Sequence, residues 1–321
     1  MAHPLSGADL GTLRRVLRQA GPGVDQARLR GIYASVLGRA PFTGIEKALG
    51  PGPDGNLEPP IFLLGHWRSG TTHLYNTMSL GDFGYVPPTV VGMPWEMLYL
   101  GRAIQPLLNK ALPNSRYIDN IPVTPTSPQE DEIAIANMSD MSFYHAIYFP
   151  AQFEHFLNRG LFFDGASEAQ IDAWKQAFLR FLRKLERHQG KRLLIKNPVY
   201  TARPSLLRDM FPGAKFVHIH RDPFDVFLSM RNFWTQLLKV MALQPYEHVD
   251  IDQVVLTTYD RMMALFEAQT ADWDAPDFVE IAYADLDADP LGSLKSIYDT
   301  LDLPNFETAA PVFSRYLDSV R

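Results

Sequence analysis

The chain of 321 residues contains no cysteine. This absence excludes a disulfide-stabilised fold, a thiolate nucleophile and a zinc site with sulfur ligands. The sequence also lacks the continuous apolar stretch, about 18 residues long, that a membrane-spanning helix requires. Its N-terminal residues lack the apolar core of a signal peptide. We therefore predict a cytoplasmic protein with no integral membrane segment.

An excess of basic residues is also lacking. The chain has 30 Lys and Arg against 36 Asp and Glu, which gives a net charge of −6. Because proteins that bind nucleic acid usually have a basic surface, we expect no nucleic-acid partner. The charge is nevertheless uneven, since residues 175–239 contain 14 Lys and Arg against 4 Asp and Glu. This basic segment suits a small, highly charged ligand.

Apolar segments alternate with helical segments along most of the chain. Segments 61–64, 192–196, 215–220 and 278–282 have the composition of short buried strands, and helical patterns follow them. This alternation predicts an α/β fold with a parallel sheet flanked by helices. We place this domain at residues 56–321. The part at about 81–165, rich in proline and aromatic residues, breaks the alternation, and we interpret it as an insert that faces the substrate.

A helical segment precedes this domain at residues 1–55 and ends in a Gly/Pro-rich linker at 50–55. Leu10, Leu13, Val16 and Leu17 have helical spacing. Such a stripe usually packs against the rest of the protein. A helix lying on a membrane surface is the alternative interpretation.

A glycine-bounded loop follows the first predicted strand. Residues 65–72 read glycine, four residues, glycine and two threonines, which is the spacing of a phosphate-binding loop. In such loops, backbone N–H groups and a helix N-terminus point at one anion. Nucleotide kinases have lysine where this chain has Thr71, and here the cation is Arg68, inside the loop. This difference favours a phosphate-like anion bound without metal, with a plain strand-to-helix turn as the alternative.

A second candidate anion site follows the strand at 215–220. Asp222 and Pro223 are a typical N-cap and first residue of a helix. Arg221 lies at the carboxyl end of the strand, where ligands bind in α/β sheets, and Ser229 lies about two turns into the helix. Alternatively, Arg221 simply pairs with a neighbouring carboxylate. Beside the first loop, this element indicates a ligand with two separate anionic ends.

These elements resemble those of the sulfotransferases that use 3′-phosphoadenosine 5′-phosphosulfate. The matching residues are Arg68, Ser69, Gly70, Thr71 and Thr72 in the 5′-phosphosulfate loop, Lys196-Asn197-Pro198, Arg221 and Ser229 in the 3′-phosphate element, and Tyr283 in the segment 282–286. The loop has the arginine-first form of the bacterial and tyrosylprotein-type branch. The four elements occur in family order over residues 61–301.

The resemblance implies a P-loop-type fold and transfer of a sulfuryl group from 3′-phosphoadenosine 5′-phosphosulfate to a hydroxyl, with no metal required. It assigns Arg68 and Lys196 to the transferring group, residues 69–72 to the 5′-phosphate, and Tyr283 to adenine. The aromatic insert favours a small, rather apolar acceptor. The chain departs from the family pattern in having His73 where cytosolic members have tryptophan. It also lacks the C-terminal Arg-Lys-Gly segment, so Arg231 is a candidate to complete the 3′-phosphate site.

A hydroxyl acceptor also requires a general base. Glu96 lies where the tyrosylprotein-type branch places its glutamate, at a longer spacing. Glu132 is the second candidate, and Glu130 and His145 are rivals. Residues 127–130 equally match a capping box that opens a helix, and His145 has the surroundings of a core histidine.

Two other functions remain as alternatives. One is a P-loop kinase-like nucleotide phosphotransferase, against which the absence of Gly-Lys-Ser/Thr counts. The other is a non-catalytic nucleotide-binding relative that has lost the base. The sequence contains no signal for an oligomeric state.

Overall fold

The computed structural model describes residues 3–52, 54–110 and 124–320. Pro53 of the predicted linker and residues 111–123 of the predicted insert lie outside these ranges. The strands are β1 (Ile61–Leu64), β2 (Leu194–Lys196), β3 (Lys215–His220) and β4 (Phe278–Ala282). The helices are α1 (Leu10–Gln19), α2 (Gln26–Leu49), α3 (Thr71–Met78), α4 (Pro88–Gly92), α5 (Leu100–Lys110), α6 (Glu132–Met138), α7 (Tyr144–Tyr148), α8 (Phe153–Phe162), α9 (Glu168–Gln189), α10 (Pro204–Met210), α11 (Pro223–Met241), α12 (Ile251–Thr270), α13 (Tyr283–Ala288), α14 (Pro290–Thr300) and α15 (Phe306–Val320).

The strands form one parallel sheet in the order β2-β1-β3-β4. This confirms the predicted parallel α/β architecture. The strand predicted at 192–196 is shorter than expected, because Leu193 makes only an isolated bridge to Gly84. β1 is buried along its whole length, as its unbroken apolar sequence requires for a strand in the middle of a parallel sheet.

By its contacts the chain divides into two compact units. The sheet unit comprises residues 57–85, 189–231 and 252–321. One of its apolar clusters lies between the sheet and α3, α14 and α15. Its buried members include Ile61, Leu63, Leu74, Tyr75, Met78, Val217, Ile219, Leu294, Ile297 and Phe313. This cluster fixes α3, whose N-terminus follows the predicted phosphate-binding loop.

The helical unit comprises residues 1–56, 86–188 and 232–251. Leu13 and Val16 of α1 are fully buried and Leu10 and Leu17 are partly buried, so the N-terminal stripe packs against the rest of this unit. A 24-residue helix, α2, follows α1, and the side chain of Asp25 caps its N-terminus. The unit groups the N-terminal segment with most of the predicted insert, and the division at residue 56 into segment and domain stays a prediction.

Several local predictions can be compared with the helices directly. α9 follows Ser167 and ends before Gly190, which has a positive φ of 70°. The predicted capping box at 127–130 is wrong, because α6 begins only at Glu132 and the Ser127 hydroxyl accepts a bond from the Thr124 N–H. Helices α12 and α15 have no counterpart in the sequence predictions. No helix within the described ranges is both long and apolar enough to span a bilayer.

Candidate nucleotide-binding and active site

The strand order brings the four predicted motifs to one edge of the sheet. Lys196 ends β2, the loop at 65–70 follows β1, Arg221 follows β3 and Tyr283 follows β4. Because all four strands are parallel and adjacent, their carboxyl ends lie side by side in the order given by the sheet. This is the edge at which open α/β sheets bind ligands.

The loop after β1 is tightly curled. Gly65, Arg68 and Gly70 have φ values of 142°, 69° and 99°. A Cβ at Gly65 would lie 2.4 Å from the carbonyl oxygen of Ile219, and one at Gly70 would lie 2.3 Å from the ring of Tyr283. Both positions therefore require glycine. As Gly70 is the N-cap of α3 and no side chain caps this end, the helix N-terminus suits an anion.

Hydrogen bonds hold the loop in this shape. The N–H of Gly65 donates to the hydroxyl of Thr201 at 2.8 Å, and the Ser69 hydroxyl donates to the His66 carbonyl at 2.8 Å. Thr201 is fully buried in the 3₁₀ turn after Lys196, so its hydroxyl joins two of the predicted motifs. Sequence reasoning missed this residue, since a threonine 136 positions away gives no local signal.

Two predicted catalytic cations lie at this edge. Arg68 donates from Nε to the Ser229 hydroxyl at 2.7 Å. The Lys196 Nζ is buried and donates to the Thr72 hydroxyl at 3.3 Å. The structure thus brings Arg68 together with Ser229, and Lys196 together with the first turn of α3. Both cations meet neutral hydroxyls that an anionic ligand can replace or share.

Arg221 lies between α11 and Tyr283. Its Nε and one terminal nitrogen donate to Asp225 at 3.2 and 3.0 Å, and its guanidinium lies 4.7 Å from the centre of the Tyr283 ring. The carboxylate pairing considered from the sequence is therefore present. The side chain of Arg221 is 34% exposed, and such an ion pair contributes little free energy, so a phosphate can compete for the guanidinium. Asp222 accepts from the Phe224 N–H at 2.8 Å, as the predicted N-cap.

Histidines near the loop have perturbed pKa values. Burial lowers the pKa of His66 to about 4 and also lowers the pKa of His73, where Asp287 opposes the effect. Both imidazoles are thus neutral at pH 7.

Arg231, suggested as a substitute phosphate ligand, pairs with Asp252 at 2.6 Å on the surface.

Glu96, the first candidate base, belongs to the helical unit. It is fully buried, and Arg39 and the hydroxyl of Thr43 bind its two carboxylate oxygens. Burial raises the pKa of Glu96, while Arg39 acts in the opposite direction. Nearby, Lys184 pairs with Glu46 at 2.8 Å, and burial lowers its pKa. In this structure Glu96 is therefore one member of a buried group of paired charges.

The other candidate bases also lie in the helical unit. Glu132 is buried and accepts a 2.6 Å bond from the Ser142 hydroxyl. His145 is fully buried with Nε2 at 3.0 Å from the Ala136 carbonyl, and burial lowers its pKa to about 4. His145 thus has the surroundings of a core histidine. Glu130 is partly exposed just before α6.

The parallel sheet and the curled glycine loop at its carboxyl end define a P-loop-type α/β fold. A family model described as "Sulfotransferase family" matches residues 59–308. This chain belongs to that family and is a sulfotransferase, so the phosphotransferase and non-catalytic alternatives fall away.

Individual relatives agree with the family model. The omega-hydroxy-beta-dihydromenaquinone-9 sulfotransferases Stf3 of Mycobacterium bovis and Mycobacterium tuberculosis are each 30% identical over 263 residues, covering 81% of this chain and 67% of theirs. Among solved structures, sulfotransferase STF9 from Mycobacterium avium has a TM-score of 0.74 at 16% identity, over 96% of this chain and 81% of its own. STF1 from Mycobacterium tuberculosis has a TM-score of 0.64 at 19% identity, over 95% and 88%. At these identities the two structures support the fold.

Proposed function

We propose that the chain transfers a sulfuryl group from 3′-phosphoadenosine 5′-phosphosulfate to a hydroxyl of a small apolar acceptor. The observation that most supports this donor is that the two predicted anion-binding elements follow neighbouring strands of one parallel sheet. The loop after β1 suits one anionic end of the donor, and Arg221 after β3 suits the other. A ligand with a single phosphate would need only one of them.

The residues present fit this donor. The first turn of α3 and the loop amides of residues 69–72 would hold the 5′-phosphate, since Gly70 leaves that helix end uncapped. Arg221 and Ser229 would hold the 3′-phosphate, and Tyr283 would contact adenine. When bound, the donor supplies the sulfuryl group and a phosphate leaving group.

Arg68 and Lys196 would stabilise the negative charge that develops during transfer. Fixed cations are most effective where water is excluded, and Lys196 is only 3% exposed. Its bond to Thr72 orients the ammonium group toward the N-terminus of α3. Transfer of this kind depends mainly on positioning and charge stabilisation, so cations held by strand ends suit it well.

A carboxylate would accept the proton of the acceptor hydroxyl, and Glu96 and Glu132 remain our candidates. Before it could accept that proton, Glu96 would have to release Arg39 and Thr43. Glu132 would have to release Ser142. The apolar acceptor is supported by the aromatic density of residues 81–165. It is also supported by the names of the Stf3 relatives, whose substrate is a hydroxylated menaquinone derivative.

Calorimetry with adenosine 3′,5′-bisphosphate tests the donor. We expect Arg221→Ala to weaken binding by about 10- to 100-fold, because it removes charged hydrogen bonds to a phosphate. Arg208→Ala is the matched control, since Arg208 is a surface arginine of the same unit that lies over the Trp273 ring. Equal affinities of the wild type and Arg221→Ala would refute the donor assignment. Radiolabelled sulfuryl transfer to a panel of hydroxylated acceptors of graded polarity then tests the acceptor class.

A further inference from the structure

The helix α2 has two apolar faces. One is buried and contains Ile32 and Val36. The other is exposed and contains Leu37, Phe42, Ile45 and Leu49, which are 55%, 44%, 49% and 64% accessible to solvent. At 3.6 residues per turn these four side chains and the exposed Pro41 span a sector about 140° wide. A helix that is apolar on both sides is normally covered on both sides, so the outward face requires a partner.

The exposed face continues beyond α2. Tyr99 is 40% exposed, and its hydroxyl donates to the carbonyl of Leu49 at 3.3 Å. α5 begins at the next residue, contains Arg102 and Lys110 but no acid, and exposes Leu107 by 67%. We call the exposed residues Leu37, Phe42, Ile45 and Leu49 the outer face of α2.

Charge identifies the kind of partner. Residues 10–49 contain seven Lys and Arg against two Asp and Glu, although the whole chain has a net charge of −6. Of the two acids, Asp25 caps α2 and Glu46 is buried against Lys184. Of the exposed arginines, Arg14 and Arg18 belong to α1, and Arg30 lies on α2 within the angular sector of the outer face. An apolar face with cations and no exposed acid on its helix is typical of helices that lie at an anionic membrane surface.

We propose that the outer face of α2 docks this enzyme on an anionic lipid bilayer. A second copy of the chain is the less suitable partner, because a symmetric dimer through this face would bring its cations together. Docking of this kind would suit an acceptor dissolved in the bilayer. The binding itself does not depend on the proposed donor or acceptor.

Co-sedimentation with vesicles tests the proposal in the full chain without donor or acceptor. We expect binding to vesicles of equimolar phosphatidylglycerol and phosphatidylcholine, and weaker binding at high salt or to pure phosphatidylcholine. The triple variant Phe42→Gln, Ile45→Gln, Leu49→Gln should lower the partition coefficient at least about 10-fold, since each side chain loses its apolar insertion. Arg30→Glu should weaken binding to the anionic vesicles and leave binding to pure phosphatidylcholine vesicles unchanged.

The control is a triple variant of exposed apolar residues elsewhere, Leu256→Gln, Leu291→Gln and Val320→Gln, which should bind like the wild type. Thermal melting by circular dichroism checks that all variants fold. Failure of the wild type to bind, or unchanged binding of the first triple variant, would overturn the proposal. It would also be overturned if sedimentation velocity showed a dimer that this variant dissociates. Loss of bisphosphate binding would instead concern the donor assignment and leave vesicle binding unaffected.

Discussion

Two groups of charged residues, one in each unit, differ in what surrounds them. In the helical unit, Lys184 pairs with Glu46, and Glu96 pairs with Arg39, with all four side chains largely withdrawn from water. At the edge of the sheet unit, Arg68 and Lys196 donate to the hydroxyls of Ser229 and Thr72. Removing one member of a buried ion pair leaves the other charge buried alone and destabilises the fold, whereas the predicted role of Arg68 and Lys196 is to bind an anion. Burial alone therefore does not distinguish a structural charge from a functional one.

The largest expected effect is on the buried charges. Lys184→Ala would leave Glu46 without its cation and remove bonds to the carbonyls of Pro94 and Trp95 at 2.7 and 2.6 Å. We expect the free energy of unfolding to fall by about 3–5 kcal/mol. Urea denaturation measures it. Lys175→Ala on the same helix is the control, because Lys175 forms only an exposed pair with Asp172 and should cost less than about 1 kcal/mol. A similar small cost for Lys184→Ala would show that its pairing is not structural.

The next largest effect is on catalysis. Arg68→Ala should lower kcat by about 10²- to 10³-fold, because it removes a charged donor from the transferring group. The melting temperature should change little, since the side chain is partly exposed. Steady-state sulfuryl transfer with labelled donor measures the rate, and Arg208→Ala again serves as the control. A variant that loses stability but keeps its rate would place Arg68 with the structural charges.

The smallest effect distinguishes the two roles of Glu96. Glu96→Gln keeps the shape of the side chain but removes the charge that faces Arg39, so stability should fall by about 1–3 kcal/mol. If Glu96 is also the base, kcat should fall as well, and the acidic limb of the pH profile of kcat should change, because a general base acts only when it is deprotonated. Glu154→Gln, at an exposed position, is the control. Lost stability with an unchanged rate would leave Glu132 as the better candidate.

Much of the fold followed from local patterns. The apolar strands, the N-cap at Asp222 and the glycines of the first loop all depend on residues close in sequence. The capping box assigned to 127–130 was wrong because it rested on a four-residue motif alone. Such a motif does not show that the Ser127 hydroxyl accepts a bond from the Thr124 N–H, or that the helix begins only at Glu132.

The candidate site likewise combines features that are local in the sequence with contacts between distant residues. The loop at 65–72 was recognisable because its two glycines and two threonines lie within eight residues, and one turn dictates their spacing. Thr201 was not recognisable from the sequence, because its hydrogen bond with Gly65 forms only when the chain is folded. The surroundings of Glu96 were equally hidden, since Arg39 and Thr43 lie more than 50 positions away.

The sequence by itself determined the candidates for the ligand site: Arg68 in a glycine-bounded loop, Lys196 and Arg221 at the ends of strands, and Tyr283 after another strand. The tertiary structure decided that these residues meet, because the order β2-β1-β3-β4 aligns four carboxyl strand ends that are far apart in the chain. It also decided that one apolar stripe of the N-terminal helices is core while another faces solvent. Periodicity shows that a helix has an apolar face, but only packing determines whether other parts of the chain cover it.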